Sequence, residues 1–267
     1  MTLELQELLQ YSATMSKSEL LLHAAASGQL ALVKSLHKKK GVNINYQDED
    51  DGSTALALAA MNGHETIVKH LLDNGANVNQ RCKDGFTALM MAAQEGHETI
   101  VKRLIEKNAP INHQTERGAT ALLMACQAGH ESIVEQLLLK GADTECQMGH
   151  GWTALMCAAM GGYKTIVTLL IAKGAKIDHQ HWQGQTALMV AAEAGHLTTV
   201  EHLCNMGADR NLKMKNCQNQ RLNNLTAAKL AEYAGQKNIV KYFNDCPMNP
   251  IEEFYKKLKN EGSPCAL

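Results

Sequence analysis

The sequence predicts an all-α solenoid of about seven helix-turn-helix units with projecting finger loops, and three observations predict it. Gly52, Gly85, Gly118, Gly151 and Gly184 recur in steps of 33 residues. A second series, Gly63, Gly96, Gly129, Gly162 and Gly195, keeps the same step. Between the two series each unit carries Thr-Ala-Leu, at Thr54, Thr87, Thr120, Thr153 and Thr186. Self-similarity at such a period is the mark of stacked supersecondary units.

Residues 1–17 read as a short amphipathic lead helix (Leu3, Leu5, Leu8, Leu9). The repeat region runs over 18–245. A divergent unit at 18–50 (Leu21, Ala24, Ala25, Gly28, Leu32, Val33, Leu36) and another at 221–245 (Thr226, Ala231, Gly235, Ile239, Val240, Phe243) are expected to cap its ends. Within a unit, Thr54 is placed to cap a first helix, its hydroxyl accepting from a free backbone N–H. Leu56, Ala59 and Ala60 follow at helical spacing, and Gly63 suits the left-handed turn that stops the helix. A second helix starts near His64-Glu65, carries Ile67, Val68, Leu71 and Leu72 on one stripe, and ends at Gly75. About ten residues then lead through an extended finger to the next threonine. One hairpin cannot bury both stripes, whereas neighbours in a stack can. After Cys246-Pro247-Met248-Asn249-Pro250, a tail over 246–267 holds a short helix from Ile251 to Lys259.

Composition narrows the function. The 267 residues are 45% apolar and 20% charged, and 26 basic residues face 27 acidic ones. A net charge of -1 lacks the basic excess by which nucleic-acid binders displace counterions, so nucleic acid is an unexpected partner. With aromatics at 4%, a large β-sandwich or barrel is not expected. No apolar run approaches the length, on the order of 20 residues, that spans a bilayer, so membrane insertion is not expected. The acidic N-terminal stretch does not match a secretory signal. Eight scattered cysteines read as reduced thiols, which points to a cytoplasmic and, as an extension, nuclear location.

The pattern resembles the ankyrin-repeat family over about residues 18–245. It is clearest at Asp84-Gly85-Phe86-Thr87-Ala88-Leu89, continuing through Ala92-Ala93-Gln94-Glu95-Gly96-His97 to Ile100-Val101. The family's Thr-Pro-Leu-His is here Thr-Ala-Leu-Met or a variant. Ala55, Ala88, Ala121, Ala154 and Ala187 stand in the proline slot, at little cost because alanine is a good helix former. Ala57, Met90, Leu123, Met156 and Met189 stand in the histidine slot, where apolar packing is expected to replace a hydrogen bond between repeats. The resemblance implies a protein-binding scaffold with a concave face of finger tips and first helices.

The residues themselves point to that face, because there the repeat stops dictating identity. The candidate partner-binding residues are Asp50, Asp51, Lys83, Asp84, Phe86, Glu95, Arg117, His150, Trp152, Met160, Trp182, Gln185 and Glu193. Both tryptophans lie at such positions, and tryptophan and arginine are the usual interface anchors; packing between adjacent fingers is the competing role for the two indoles. Charge is segregated as well. The first finger carries Asp48-Glu49-Asp50-Asp51, and the lengthened last one carries Arg210, Lys213, Lys215 and Arg221.

Catalytic and metal chemistry find little support. His64, His97, His130 and His196 recur in the framework. His113, Cys146 and His179 share one register on three fingers, with His150 and His181 nearby, but donors spaced near 10 Å cannot share one zinc ion whose ligand bonds are about 2.0–2.3 Å. Cys126, Cys157 and Cys204 read as small core residues. No enzyme activity, cofactor or metal is expected. The leading function is a non-catalytic, monomeric adaptor or scaffold that holds a partner protein in its groove. The alternatives are a nucleotide- or RNA-binding module that stacks bases on exposed tryptophans, and an effector adaptor delivered by an intracellular bacterium into a host cytosol.

Overall fold

The computed structural model describes residues 15–215 and 219–245. The lead-helix leucines and the tail helix expected at 251–259 lie outside the described residues. Among those described, fourteen α-helices form seven pairs. The chain divides into two compact units, Met1–Asp143 and Thr144–Leu267.

The first unit holds α1 (Lys17–Ala26) with α2 (Leu30–His37), α3 (Ala55–Met61) with α4 (Glu65–Asp73), α5 (Ala88–Glu95) with α6 (Glu98–Glu106), and α7 (Ala121–Ala128) with α8 (Glu131–Leu139). The second holds α9 (Ala154–Met160) with α10 (Lys164–Ala172), α11 (Ala187–Ala194) with α12 (Leu197–Asn205), and α13 (Ala227–Tyr233) with α14 (Lys237–Asp245). Within each unit the first helices pack side by side in one row and the second helices in another. The first-helix row is the closer-packed, because fully buried alanines such as Ala59, Ala60, Ala92 and Ala93 let the backbones approach. The apolar stripes of the second helices (Ile67, Val68 and Leu71; Ile100, Val101 and Leu104; Ile166, Val167 and Leu170) close the core beneath them.

The helix ends follow from the sequence. Thr54, Thr87, Thr120, Thr153 and Thr186 each cap a first helix, their hydroxyls accepting the N–H three residues on at 3.1–3.4 Å. Ala57, Met90, Leu123, Met156 and Met189 are buried, as apolar packing in the histidine slot requires. The N-terminal boundary differs from the sequence reading. Lys17 already belongs to α1, because Ser16 and Glu19 form a reciprocal capping box: Ser16 Oγ accepts Glu19 N–H at 3.2 Å, and Glu19 Oε2 accepts Ser16 N–H at 2.6 Å.

What ties one hairpin to the next is a histidine laid over a glycine. His64 Nε2–H donates to Ala26 O (2.9 Å), His97 to Met61 O (3.0 Å), His130 to Gln94 O (2.9 Å) and His196 to Met160 O (2.8 Å). Each ring lies against the glycine that follows the preceding first helix. A Cβ on Gly63 would meet His97 Cε1 at 2.6 Å, and one on Gly96 would meet His130 Cε1 at 2.5 Å. Gln236 plays the same part on Gly195, donating to Glu193 O at 3.2 Å. The glycine is thus required twice, for its positive φ (Gly96, +82°) and for the space its missing side chain leaves. At Gly141, after a second helix, φ is +81° but a Cβ would meet nothing within 4 Å.

This contrast is measurable in denaturant melts. Gly141→Ala suffers backbone strain alone and loses about 1 kcal/mol. Gly96→Ala also displaces the His130 ring and loses more than about 2 kcal/mol. Adding His130→Ala to Gly96→Ala recovers part of that loss, whereas equal costs at the two glycines would contradict the interlock.

Candidate functional site

The fingers between helix pairs are built by short backbone turns and by side chains that reach back one repeat. In the first unit Asp48 O accepts Gly52 N–H (3.0 Å) and Asp48 Oδ1 accepts Asp50 N–H (2.8 Å). The Asp51 carboxylate accepts both the N–H (2.7 Å) and the hydroxyl (2.8 Å) of Ser53. The acidic run that looked like a recognition element is therefore partly a turn-forming one. Of the two candidate acids there, Asp50 has its carboxylate exposed at the tip, while Asp51 is engaged with Ser53. Lys83 braces this finger, its N–H donating to Asp51 O at 2.8 Å and its Nζ to Glu49 O. Asp84, Glu95 and Arg117 are exposed, and Phe86 is half-buried.

Between α1 and this finger lies a cavity of about 490 Å³, with Met15, Leu22, Ala26 and Leu58 as its apolar lining and Glu19, Asp48, Asp50 and Asp51 among its polar residues. The negative field there is felt by Tyr46, whose hydroxyl donates to Glu19 Oε1 at 3.4 Å. Desolvation, followed by the charges of Glu19 and Glu49, holds its phenol above the ordinary value.

The second unit carries the aromatic face. Its first finger is a small antiparallel hairpin of β1 (Gln147–Met148) and β2 (Trp152–Thr153), with Met148 paired to Trp152. His150 sits at the tip in the left-handed region (φ +64°), which histidine enters more readily than most residues. Its carbonyl accepts Trp182 N–H at 3.1 Å, and its ring lies 5.0 Å from the Trp182 ring, tilted by 35°. Trp152 stacks on His181, centroids 5.8 Å apart at 27°. Trp182 is 44% exposed and Met160 43%, while Trp152 is half-buried. Packing between fingers thus holds for Trp152, while Trp182 rests on His150 with much of its ring facing outward.

Two expectations are corrected here. Gln185, read as a contact residue, is buried: its Oε1 lies 3.0 Å from His181 Nε2, and its Nε2 donates to Glu193 Oε2 at 2.6 Å. Arg210, counted in the basic last finger, packs over the rings of Tyr242 (5.4 Å) and Phe243 (5.0 Å) instead, while Lys213, Lys215 and Arg221 are exposed.

The histidines in register on the fingers have a structural task. His113 Nε2–H donates to Gly85 O (3.0 Å) and His179 Nε2–H to Gly151 O (3.1 Å), each stapling its finger to the preceding finger glycine. Sequence reasoning missed this staple, although the constant spacing of 28 residues from glycine to histidine carried the signal. Among the described residues no group of three or more His, Cys, Asp or Glu is arranged to hold a metal, and no helix is long and apolar enough to cross a membrane. Cys126, Cys157 and Cys204 are buried in their helices. Burial pushes the Cys157 thiol up to about 12, far from the thiolate form at neutral pH.

Comparison with known proteins places these features. The family described as ankyrin repeats (3 copies) matches residues 21–115, 100–181 and 122–214, together more than half of the chain. "Ankyrin repeat and SAM domain-containing protein 6" of Rattus norvegicus is 46% identical over 63 residues, 24% of this chain and 7% of the relative. "Palmitoyltransferase akr1" of Schizosaccharomyces pombe (strain 972 / ATCC 24843) is 45% identical over 56 residues, 21% of this chain and 9% of the relative. "Ankyrin repeat domain-containing protein 49" of Homo sapiens is 42% identical over 62 residues, 23% of this chain and 26% of the relative. The chain thus spans about a quarter or less of the length of these relatives.

Native alkylation with peptide mapping tests the thiol assignments. Iodoacetamide at pH 7.5 leaves Cys126, Cys157 and Cys204 unlabelled until denaturant is added, while half-buried Cys82 reacts faster. Labelling of Cys157 in the native state at the rate of Cys82 would overturn its placement in the core.

Proposed function

Because this chain belongs to the ankyrin-repeat family, we propose that it is a non-catalytic adaptor that holds a partner protein on its fingers and first helices. The observation that carries the reading is Trp182: a large indole, 44% exposed, kept in place by a backbone bond and by the His150 ring. A rigid aromatic presented this way has little side-chain freedom left to lose on binding, which is what makes such residues hot spots. Exposed Met160 and Glu193 on the adjoining first helices supply an apolar and an acidic neighbour. In the first unit, Asp50, Asp84, Glu95, Arg117 and the half-buried Phe86 provide a more polar face suited to setting register and on-rate. We place the protein in the cytoplasm or nucleus, where its buried thiols stay reduced.

Affinity capture from lysate, followed by titration of the identified partner, tests this reading. Trp182→Ala weakens binding by about 2 kcal/mol, roughly 30-fold, with the melting temperature unchanged. Trp152→Ala lowers both affinity and melting temperature, since its ring covers buried His181. Unchanged affinity in both variants would remove the aromatic face from the account.

A further inference from the structure

His181 is 4% exposed, and both of its ring nitrogens are engaged. The backbone N–H of Gln183 donates to Nδ1 at 2.9 Å. A backbone amide can only donate, so Nδ1 carries no proton and the ring is the neutral Nε2–H tautomer. That N–H donates to Gln185 Oε1 at 3.0 Å, which turns the amide NH2 of Gln185 to Glu193 Oε2 at 2.6 Å. The chain of donors thus runs in one direction, from the finger backbone to an exposed carboxylate on α11. Around the same ring, His181 N–H donates to Gln185 O (3.1 Å), Gly184 N–H donates to His181 O (2.7 Å), and the Trp152 indole lies stacked on one face. Trp182 is the next residue in this turn.

We propose that His181 is a proton-operated latch that positions the aromatic face: neutral, it closes the 181–185 turn and fixes Trp182 and Trp152; with a second proton on Nδ1, it opens the turn. The added proton converts Nδ1 from acceptor to donor and sets it against the Gln183 N–H, so one of the two must move. It also places a positive charge in a buried site. The titratable groups facing that charge are His179 on the same finger, His150 on the preceding finger, Glu193 on α11, and Lys213 and Lys215 on the following segment, whose backbone lies against Gly184. Glu193 is the one acid among them, and the Gln185 amide, whose oxygen accepts from Nε2–H and so favours the protonated ring, stands between it and the imidazole.

Burial first, and then the charges of His179 and His150, hold the His181 imidazole below its ordinary value. The sign follows from the difference between closed and open turns. The open turn leaves the ring near the ordinary histidine value of about 6.5, so it binds the proton more readily than the closed one. The latch is fully closed above about pH 6.5 and loses stability as pH falls from there through the depressed value of the closed state. A role in binding rests on the proposed adaptor function, but the latch itself is read without a partner.

The test is NMR on the full chain with labelled histidine and tryptophan. At pH 7.5 the His181 nitrogens report the Nε2–H tautomer. Below pH 6.5 the Trp152 and Trp182 indole signals shift together, with the midpoint of His181. The transition survives in His150→Asn and is lost in His181→Gln. Should His181→Gln fail to fold, Gln185→Glu serves. It sets a carboxylate against Nε2–H, which raises the His181 midpoint by about one pH unit or more and, by holding the protonated ring in the closed turn, shrinks the indole shifts. A proton on Nδ1 at neutral pH, an indole transition that follows His150, or an unmoved midpoint in Gln185→Glu would each overturn the latch. If the latch fails while Trp182→Ala still loses affinity, the adaptor reading stands and the latch alone falls.

Discussion

The structure depends on a histidine that reaches back one repeat, donates to the last carbonyls of the preceding first helix, and lies on the glycine beyond it. The bond at His97 shows the economy of the arrangement. Its Nε2–H satisfies Met61 O, one of the carbonyls a helix end leaves without an intrahelical partner. The ring fills the space above Gly63 that any side chain would close. Repetition of one such joint lets each helix pair find its neighbour in a fixed register, and each pair buries stripes it could not bury alone. Where histidine is absent at the last pair, the joint is remade with other chemistry: Gln236 donates through its amide to Glu193 O and lies on Gly195.

A framework fixed in this way divides the side chains into two groups. Alanines, leucines and threonine caps are dictated by packing and by helix ends. The finger tips are held by their own backbone turns and by staples such as His113 to Gly85 and Gln180 to Gly184, so the repeat does not dictate the identity of their outward side chains. Trp182, whose ring also rests on His150, and Met160 keep much of their surface exposed. Gln185 and Arg210 do not, though their positions in the repeat suggested it.

The fold was legible from the sequence because its signals are local and repeated. A threonine before an alanine-leucine run, a glycine nine residues later and an Ile-Val pair beyond it specify caps, turns and stripes without long-range information. The surface was legible only in outline. The repeat register marked Trp152, Trp182 and Gln185 alike as unconstrained, yet a half-covered indole, an exposed indole and a buried amide differ only in contacts made across a finger gap. The buried state of Gln185 depends on an acceptor at Glu193, eight residues away, and on the tautomer of His181. Neither shows in a pattern of residue types. Likewise Asp48 and Asp51 read as charge, whereas their oxygens also build the turn that holds them.

The central claim is that recognition falls on the exposed aromatic face of the second unit. Hydroxyl-radical footprinting of the full chain, alone and with its captured partner, tests it most directly. Trp182 and Met160 are predicted to lose reactivity several-fold in the complex while exposed Leu139 and Tyr233 keep theirs. Protection confined to Leu139 or Tyr233, with Trp182 as reactive as in the free protein, would contradict it.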